Sequence, residues 1–486
     1  MGEILGHLKP SLVWKHFEEL CKYPRCSKQE GKVAAYVKSV GGRLNLETIT
    51  DTFGNVIIRK PATPGKENLK TIVLQGHLDM VCEKNRDVQH DFDNDSIEPY
   101  IDGEWVKAKG TTLGADNGIG VATALAVLED NEIEHGPVEC LFTLDEETGL
   151  TGASNLSADV LKADILINLD SEEEGTLYIG CSGGQNTAAA FTFRPQAVNE
   201  SYTFYEIKVA GLKGGHSGLE IHTGRGNAIK IIARLLWNLQ AQMKIKLGYI
   251  EGGNKHNAIP REAFATVAVP KDKKKQFESF VNGFNGMVKT ELATNEPDLN
   301  VTAAKHRKSV KVMDGKSQDK ILNALYACPH GVITMSPDIP GLVETSTNLA
   351  IVNTKGNKIT VVTSQRSSVA SENVDITNMV TSVFKLAEAE ITSGDGYPGW
   401  KPNVNSEILR VFKKTYHDLY GREPEVKAIH AGLECGIINE KYPVMDMISF
   451  GPTMFGVHSP DEKLKIDTVP LFWDQLTTVL KNIPAK

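Results

Sequence analysis

A histidine and several carboxylates stand where apolar segments of the chain end or begin, and a second histidine lies in a loop near its end. His77 and Asp79, with one residue between them, follow an apolar segment over 71–75. Glu146 and Glu147 are adjacent and follow a second over 138–144, and Asp170 closes a third over 163–169. Asp116-Asn117 precedes an apolar stretch over 119–128, and His458 lies in a Gly- and Pro-rich loop near the end of the chain. Each has a plain structural reading. A His-x-Asp pair is often a surface hydrogen bond, and Asp116 has the place of a helix N-cap. Glu146-Glu147 can be a solvated strand end, Asp170 part of an acidic loop, and His458 a loop histidine. Those readings do not explain why acids follow buried strands one after another, because carboxylates gathered at one edge are costly unless cations compensate them. Imidazole and carboxylate donors without cysteine suit zinc, manganese or cobalt in a catalytic site. Two ions sharing a carboxylate accommodate this set, and a free glutamate beside them can act as general base.

The elements that must position these groups are readable from periodicity. Apolar residues at helical spacing predict a helix over 11–23, and β-branched residues predict strands over 55–59 and 71–75. Asp102-Gly103 marks a hairpin turn within 100–106. A buried helix over 119–128 and buried strands over 138–144 and 163–169 follow. Near-continuous apolar strands alternating with helices predict an α/β sheet covered on both faces, and ligands bind such sheets at the carboxyl edge. Beyond Ser182-Gly183-Gly184 the texture changes to strands followed by helices. A strand is predicted over 263–269, a helix over 276–291, a hairpin over 348–363 and a helix over 374–390, with a possible internal repeat. The breaker at 394–399 returns the chain to the first domain. The prediction is a catalytic domain over 1–187 and 397–486, with a mixed sheet flanked by helices, and an inserted α+β domain over 188–396.

Composition narrows the function classes. The chain has 486 residues, 41% hydrophobic and 23% charged, with a net charge of −8. Such a balance argues against nucleic acid or an anionic membrane as principal partner. Lys271-Asp272-Lys273-Lys274-Lys275 reads as a solvated turn or helix start. The N-terminal segment lacks the pattern of a signal peptide, Gly2 lacks the rest of a myristoylation signal, and no apolar run reaches the ~18 residues that span a bilayer. Cytoplasm is the expected address. The seven cysteines, with no C-x-x-C spacing, predict reduced thiols.

The order His77-x-Asp79, Asp116-Asn117, Glu146-Glu147, Asp170 and His458 resembles that of the di-zinc aminoacylase/carboxypeptidase-type metallopeptidases. The surrounding words are QGHLDMV (75–81), GTTLGADNGIG (110–120), NLDSEEEG (168–175), GLKGGHSG (211–218), NAIPREAFAT (257–266), HAGLECG (430–436) and GPTMFGVHSPDE (451–462). They resemble the aminoacyl-histidine dipeptidases, also called cytosolic non-specific dipeptidases, over nearly the whole chain. Leu144-Asp145 departs from that pattern, where a less acidic lead-in to the glutamate pair is expected.

The resemblance implies two divalent ions per chain, zinc foremost and manganese or cobalt as alternatives. His77, Asp116 and Asp170 would hold one ion; Asp116, Glu147 and His458 would hold the other. Asp79 would fix the tautomer of His77. Glu146 would take a proton from a water bridging the ions and pass it to the leaving amine. The insertion would be a lid and dimerisation domain in which His216 stabilises the oxyanion, supplied by the partner subunit of a homodimer, or within its own chain if the longer lid folds back. Asn257 and Arg366 would hold the substrate's terminal carboxylate, and Glu434 would meet its free amine. The implied substrates are dipeptides with free termini, C-terminal histidine favoured, β-alanyl-histidine being one example. An amidohydrolase acting on N-acyl amino acids is the nearest rival. A non-catalytic scaffold would not need Glu146, and a phosphoesterase would want a basic cluster that the sequence lacks.

Overall fold

The computed structural model describes residues 4–394 and 396–486. Gly2 and Asp395, the latter inside the 394–399 breaker, lie outside the described residues. The chain divides into two compact units, Met1–Cys181 with Trp400–Ala428 and Leu433–Lys486, and Ser182–Gly399 with Ile429–Gly432.

The first unit is built on an eight-stranded mixed sheet. Its strands run in the order Glu47–Thr50, Val56–Lys60, Val138–Thr143, Ile72–His77, Ile165–Asn168, Asp446–Ser449, Thr176–Cys181 and Glu425–Ile429. The four consecutive strands from Val138–Thr143 to Asp446–Ser449 are parallel, in a register that pairs His77 with Thr143, Gln75 with Asn168, and Asn168 with Ser449. Their carboxyl ends therefore share one edge. Every residue of Ile72–His77, Val138–Thr143 and Ile165–Asn168 is buried, as a sheet covered on both faces requires. After Ile72–His77 the chain adds Val138–Thr143 on one side and then Ile165–Asn168 on the other. That reversal opens a crevice at the carboxyl edge.

The helix Ala115–Glu129 joins the first two of these strands and is buried almost all round, because it packs against Ile72–His77 and against the helix Ser11–Leu20. Its entry is tight. Gly114 has φ 69°, and a β-carbon there would run into the Arg25 guanidinium and the Met80 thioether. Glycine supplies both the conformation and the space.

The second unit carries a nine-stranded antiparallel sheet, and its topology contains the suspected repeat. Asn300–Lys305, Tyr202–Ala210, Ala263–Pro270 and Lys246–Gly252 lie side by side, which in chain order is fourth, first, third, second. Glu390–Ser393, Gly183–Thr192, Lys358–Ser367 and Val343–Lys355 repeat that order. In each module one helix follows the first strand and another the third: Ala228–Met243 and Lys274–Glu291, then Gly315–Ala327 and Ala370–Leu386. The modules join where Lys246–Gly252 pairs with Val343–Lys355. The first module is inserted after the first strand of the second, so the modules do not follow one another along the chain.

Two expectations are corrected. The helix predicted over 374–390 runs Ala370–Leu386, and Glu390 begins the strand Glu390–Ser393. Apolar Ile391 continues the helical spacing by coincidence while pairing with Ala189 as a strand residue. The cysteines are not all free: Cys26 and Cys82 form a disulfide with Cα atoms 5.6 Å apart. A parallel bridge between Cys26 and Met80 brings these segments together, a proximity that linear spacing does not reveal. The other five cysteines are free and buried. Among the described residues no helix is long and apolar enough to cross a membrane.

Leu125 is fully buried, whereas Leu386 is 87% exposed. Leu125→Ala is expected to destabilise the first unit by about 2–5 kcal/mol. Leu386→Ala should stay within about 0.5 kcal/mol. Denaturant midpoints of the two variants against the parent check this.

Candidate metal centre

The parallel strands deliver their following residues to one edge. His77 is the last residue of its strand, Glu146 and Glu147 lie just past Thr143, and Asp170 lies just past Asn168. His458 comes from the loop between the short strands Met454–Phe455 and Lys463–Lys465, with φ 62°. Asp116 sits at the entry to the buried helix but is not its N-cap. That place is Gly114, and the Asp116 carboxylate faces two imidazoles instead.

The distances define two overlapping clusters. His77 Nε2 lies 3.2 Å from Asp116 Oδ1 and 3.4 Å from Asp170 Oδ1. His458 Nε2 lies 3.1 Å from Asp116 Oδ2 and 3.0 Å from Glu147 Oε2. Donor atoms of His77, Asp116 and Asp170 all lie within 4.8 Å of one another, as do those of Asp116, Glu147 and His458. Asp116 alone belongs to both groups and offers each a different oxygen. His77, Glu146 and Glu147 form a further close set.

Electrostatics mark the edge as short of positive charge. Burial by itself would lower the pKa of His77, but Asp170, Asp116 and Asp79 outweigh it and hold the imidazole well above its ordinary value. Hydrogen bonds to Asp116 and Glu147 push His458 up to about 11. Burial raises Glu146 well above the usual carboxylate range, and Asp170, Glu434 and Glu147 add to the effect. Burial likewise lifts Asp170 to about 6, against the pull of His77. The Nε2 atom of each imidazole stands between two carboxylates, at a place where a divalent ion would satisfy the same oxygens. Glu147 Oε1 is buried with no hydrogen-bond partner. An all-nitrogen-and-oxygen donor set with an orphaned buried oxygen fits a divalent cation of the zinc or manganese type.

The surrounding groups hold this arrangement. Asp79 is fully buried, with Oδ1 3.3 Å from His77 Nδ1. It also accepts the backbone N–H of Glu146 at 3.0 Å, that of Glu147 at 3.1 Å and the Ser27 hydroxyl at 2.8 Å. One carboxylate thus orients the histidine and the glutamate pair together. Asp145, the departure noted in the sequence, has φ 52° and accepts the hydroxyls of Thr148 and Thr151. It closes the turn that presents Glu146 and Glu147. Glu434 is buried, accepts Gln75 Nε2 at 2.5 Å and Thr143 Oγ1 at 2.8 Å, and keeps its Oε1 unpartnered. Burial lifts it to about 7.

In the second unit, pairing of His216 with Ala258 sets Asn257 beside His216, and the Asn257 carbonyl accepts Ser217 N–H at 2.8 Å. His216 Nδ1 accepts the backbone N–H groups of Gly218 and Leu219 at 3.2 and 3.1 Å. With Nδ1 an acceptor, the proton belongs on Nε2, and burial with the Arg366 charge lowers the imidazole pKa. Arg366 is 7% exposed, donates to the Tyr397 hydroxyl at 2.8 Å, and has a buried Nε without a partner. Its strand neighbour Ser346 hydrogen-bonds His430 Nε2 at 2.7 Å. Burial, with Arg366 adding to it, drives His430 down to about 3. Tyr397, Ser346 and His430 escape sequence reasoning, although His430 opens the word HAGLECG. The chain divides inside that word, with 429–432 grouped with the second unit and Glu434 with the first.

Comparison with known proteins gives this geometry a family. Residues 73–482 match the model of peptidase family M20/M25/M40. The chain is 45% identical over 482 residues to the cytosol non-specific dipeptidase of Escherichia coli (strain K12), covering 99% of each chain. It is similar to the solved aminoacylhistidine dipeptidase of Vibrio alginolyticus, at 48% identity and a TM-score of 0.94, over 99% of this chain and 98% of that one. Aminopeptidase PepT of Bacillus cereus, 16% identical with a TM-score of 0.56 over 98% of each chain, shares the fold. With the parallel-strand edge and its paired imidazole and carboxylate clusters, these matches place the chain in peptidase family M20/M25/M40.

Proposed function

We propose that this peptidase is a two-metal dipeptidase acting on dipeptides with free termini and favouring C-terminal histidine, β-alanyl-histidine being one such substrate. The observation that carries the proposal is Asp116, whose two oxygens each face an imidazole, 3.2 Å from His77 and 3.1 Å from His458. His77, Asp116 and Asp170 would hold one divalent ion, and Asp116, Glu147 and His458 the other. Zinc is the first choice, with manganese or cobalt as alternatives. When bound, such ions polarise the scissile carbonyl and make water acidic enough to attack near neutral pH.

The chain's own groups supply the rest. Glu146 stands beside His77 and Glu147 and makes no ion pair among the described residues; its carboxylate accepts the proton of the attacking water and returns it to the leaving amine. Asp79 keeps the Nδ1 side of His77 occupied, leaving Nε2 for the ion. His216, with Nδ1 committed to backbone amides, donates Nε2–H to the developing oxyanion. Arg366 turns its unpartnered Nε to the substrate's terminal carboxylate, aided by Asn257. The unpartnered Glu434 oxygen is suited to an ammonium group. The family resemblance supports a homodimer as the working form, with the 188–396 insertion as lid and dimerisation domain, in the cytoplasm.

Glu146→Gln keeps the size of the side chain but cannot take the proton. Turnover of a free dipeptide should fall at least ~10²-fold while metal content stays at the parent level. Near-normal turnover would assign the base to another group. A panel of free, C-terminally amidated and N-acylated dipeptides tests the substrate. The free dipeptides should be cleaved best, and amidation should raise KM sharply in the parent but little in Arg366→Met. Equal cleavage of free and amidated dipeptides by the parent would remove Arg366 from carboxylate binding, and preference for N-acyl substrates would favour the amidohydrolase reading.

A further inference from the structure

Four consecutive backbone N–H groups lead into Asp116, and a single buried carboxylate accepts all of them. Glu462 Oε2 accepts Leu113 N–H at 2.7 Å and Gly114 N–H at 2.9 Å; Oε1 accepts Ala115 N–H at 2.7 Å and Asp116 N–H at 3.2 Å. Glu462 is 2% exposed and lies four residues after His458, on the same loop. Its own backbone N–H donates to Ser459 O at 3.0 Å, which closes that loop on itself.

The opposite side of the 113–116 segment is held by a buried cation. Arg25, also 2% exposed, donates to the carbonyl of Gly114 and, at 3.1 Å each, to the carbonyls of Leu78 and Asp79. Arg25 thus fastens the segment after His77 to the segment before Asp116, and Glu462 fastens that same segment to the loop of His458. The two charges compensate each other's burial through the backbone between them, and each satisfies several buried polar groups that would otherwise be costly.

We infer that Glu462 and Arg25 are positioning residues, which preset Asp116 between His77 and His458 so that one carboxylate serves two ions. Neither touches substrate or ion. The inference rests on the two-metal reading. Partners behind metal ligands typically control affinity or activity by about 10–100-fold.

Glu462→Gln tests it, because an amide offers one acceptor oxygen where two are used and turns N–H groups toward N–H groups. Dissociation constants for the first and second zinc ion, measured by chelator competition, should weaken about 10–100-fold in the variant. Turnover at limiting zinc should fall with KM little changed and should recover as free zinc is raised. The melting temperature of the metal-free protein separates this from loss of fold. Glu296→Gln is the control: Glu296 is 1% exposed and accepts two backbone amides, Lys213 and Gly226, on the second unit, whereas the metal-ligand candidates belong to the first. It should lower the melting temperature and leave zinc affinity alone. Parent-like zinc affinity in folded Glu462→Gln, or a fall in melting temperature with no change in affinity, overturns the positioning role. If Glu462→Gln does not fold, Glu462→Asp, which keeps the charge but withdraws it by one methylene, decides by the same two results. Failure of the parent itself to bind zinc would instead overturn the two-metal reading and this inference with it.

Discussion

Asp116 shares its two carboxylate oxygens between His77 and His458, and Asp170 and Glu147 close in from either side. So many acids at one buried edge are unfavourable unless positive charge is held among them. The carboxylates raise the proton affinity of both imidazoles well above its ordinary value, which shows how strongly the edge favours positive charge. Divalent ions answer the same demand more fully. The constraint extends outward: Asp79 must occupy the far nitrogen of His77, and Asp145 must close the turn that aims Glu146 and Glu147.

The sheet makes that concentration of charge possible. Four parallel strands end at a common edge, so residues up to hundreds of positions apart arrive together without long loops. The apolar helix Ala115–Glu129 and the fully buried strands form a rigid base that resists the mutual repulsion of the acids. The second unit carries different groups: a histidine whose Nδ1 accepts two backbone amides, and a buried arginine whose Nε has no partner.

Much of this was legible because it is local. An apolar run followed by an acid or a histidine marks a buried strand and what stands at its end, and the surrounding words carry a family resemblance across the chain. Strand register adds what the words alone lack, since the pairing of His77 with Thr143 and of Gln75 with Asn168 brings the three strand ends to one edge. What was missed depends on contacts distant in sequence. Cys26 and Cys82 are 56 residues apart and meet through a β-bridge. Glu462 reads as one more acid of a polar loop, although it caps amides nearly 350 positions earlier. Tyr397 and Ser346 have no marking of their own; register and packing put them beside Arg366 and His430. The possible repeat in the second unit was legible as strand-then-helix units, but its strand order was not, because one module interrupts the other.

The central claim is that Asp116 bridges two ions, and metal content per folded chain tests it most directly. Parent protein and Asp116→Ala are loaded with zinc under identical conditions, freed of excess ion and analysed by elemental mass spectrometry, with circular dichroism to show that both are folded. The parent should carry about two ions per chain, as a two-metal hydrolytic site requires. Asp116→Ala should carry essentially none, because each cluster loses a ligand and the remaining charges lose their common centre. An Asp116→Ala protein that is folded and retains the parent's full complement would contradict the bridge, and with it the reason for gathering these acids at one edge.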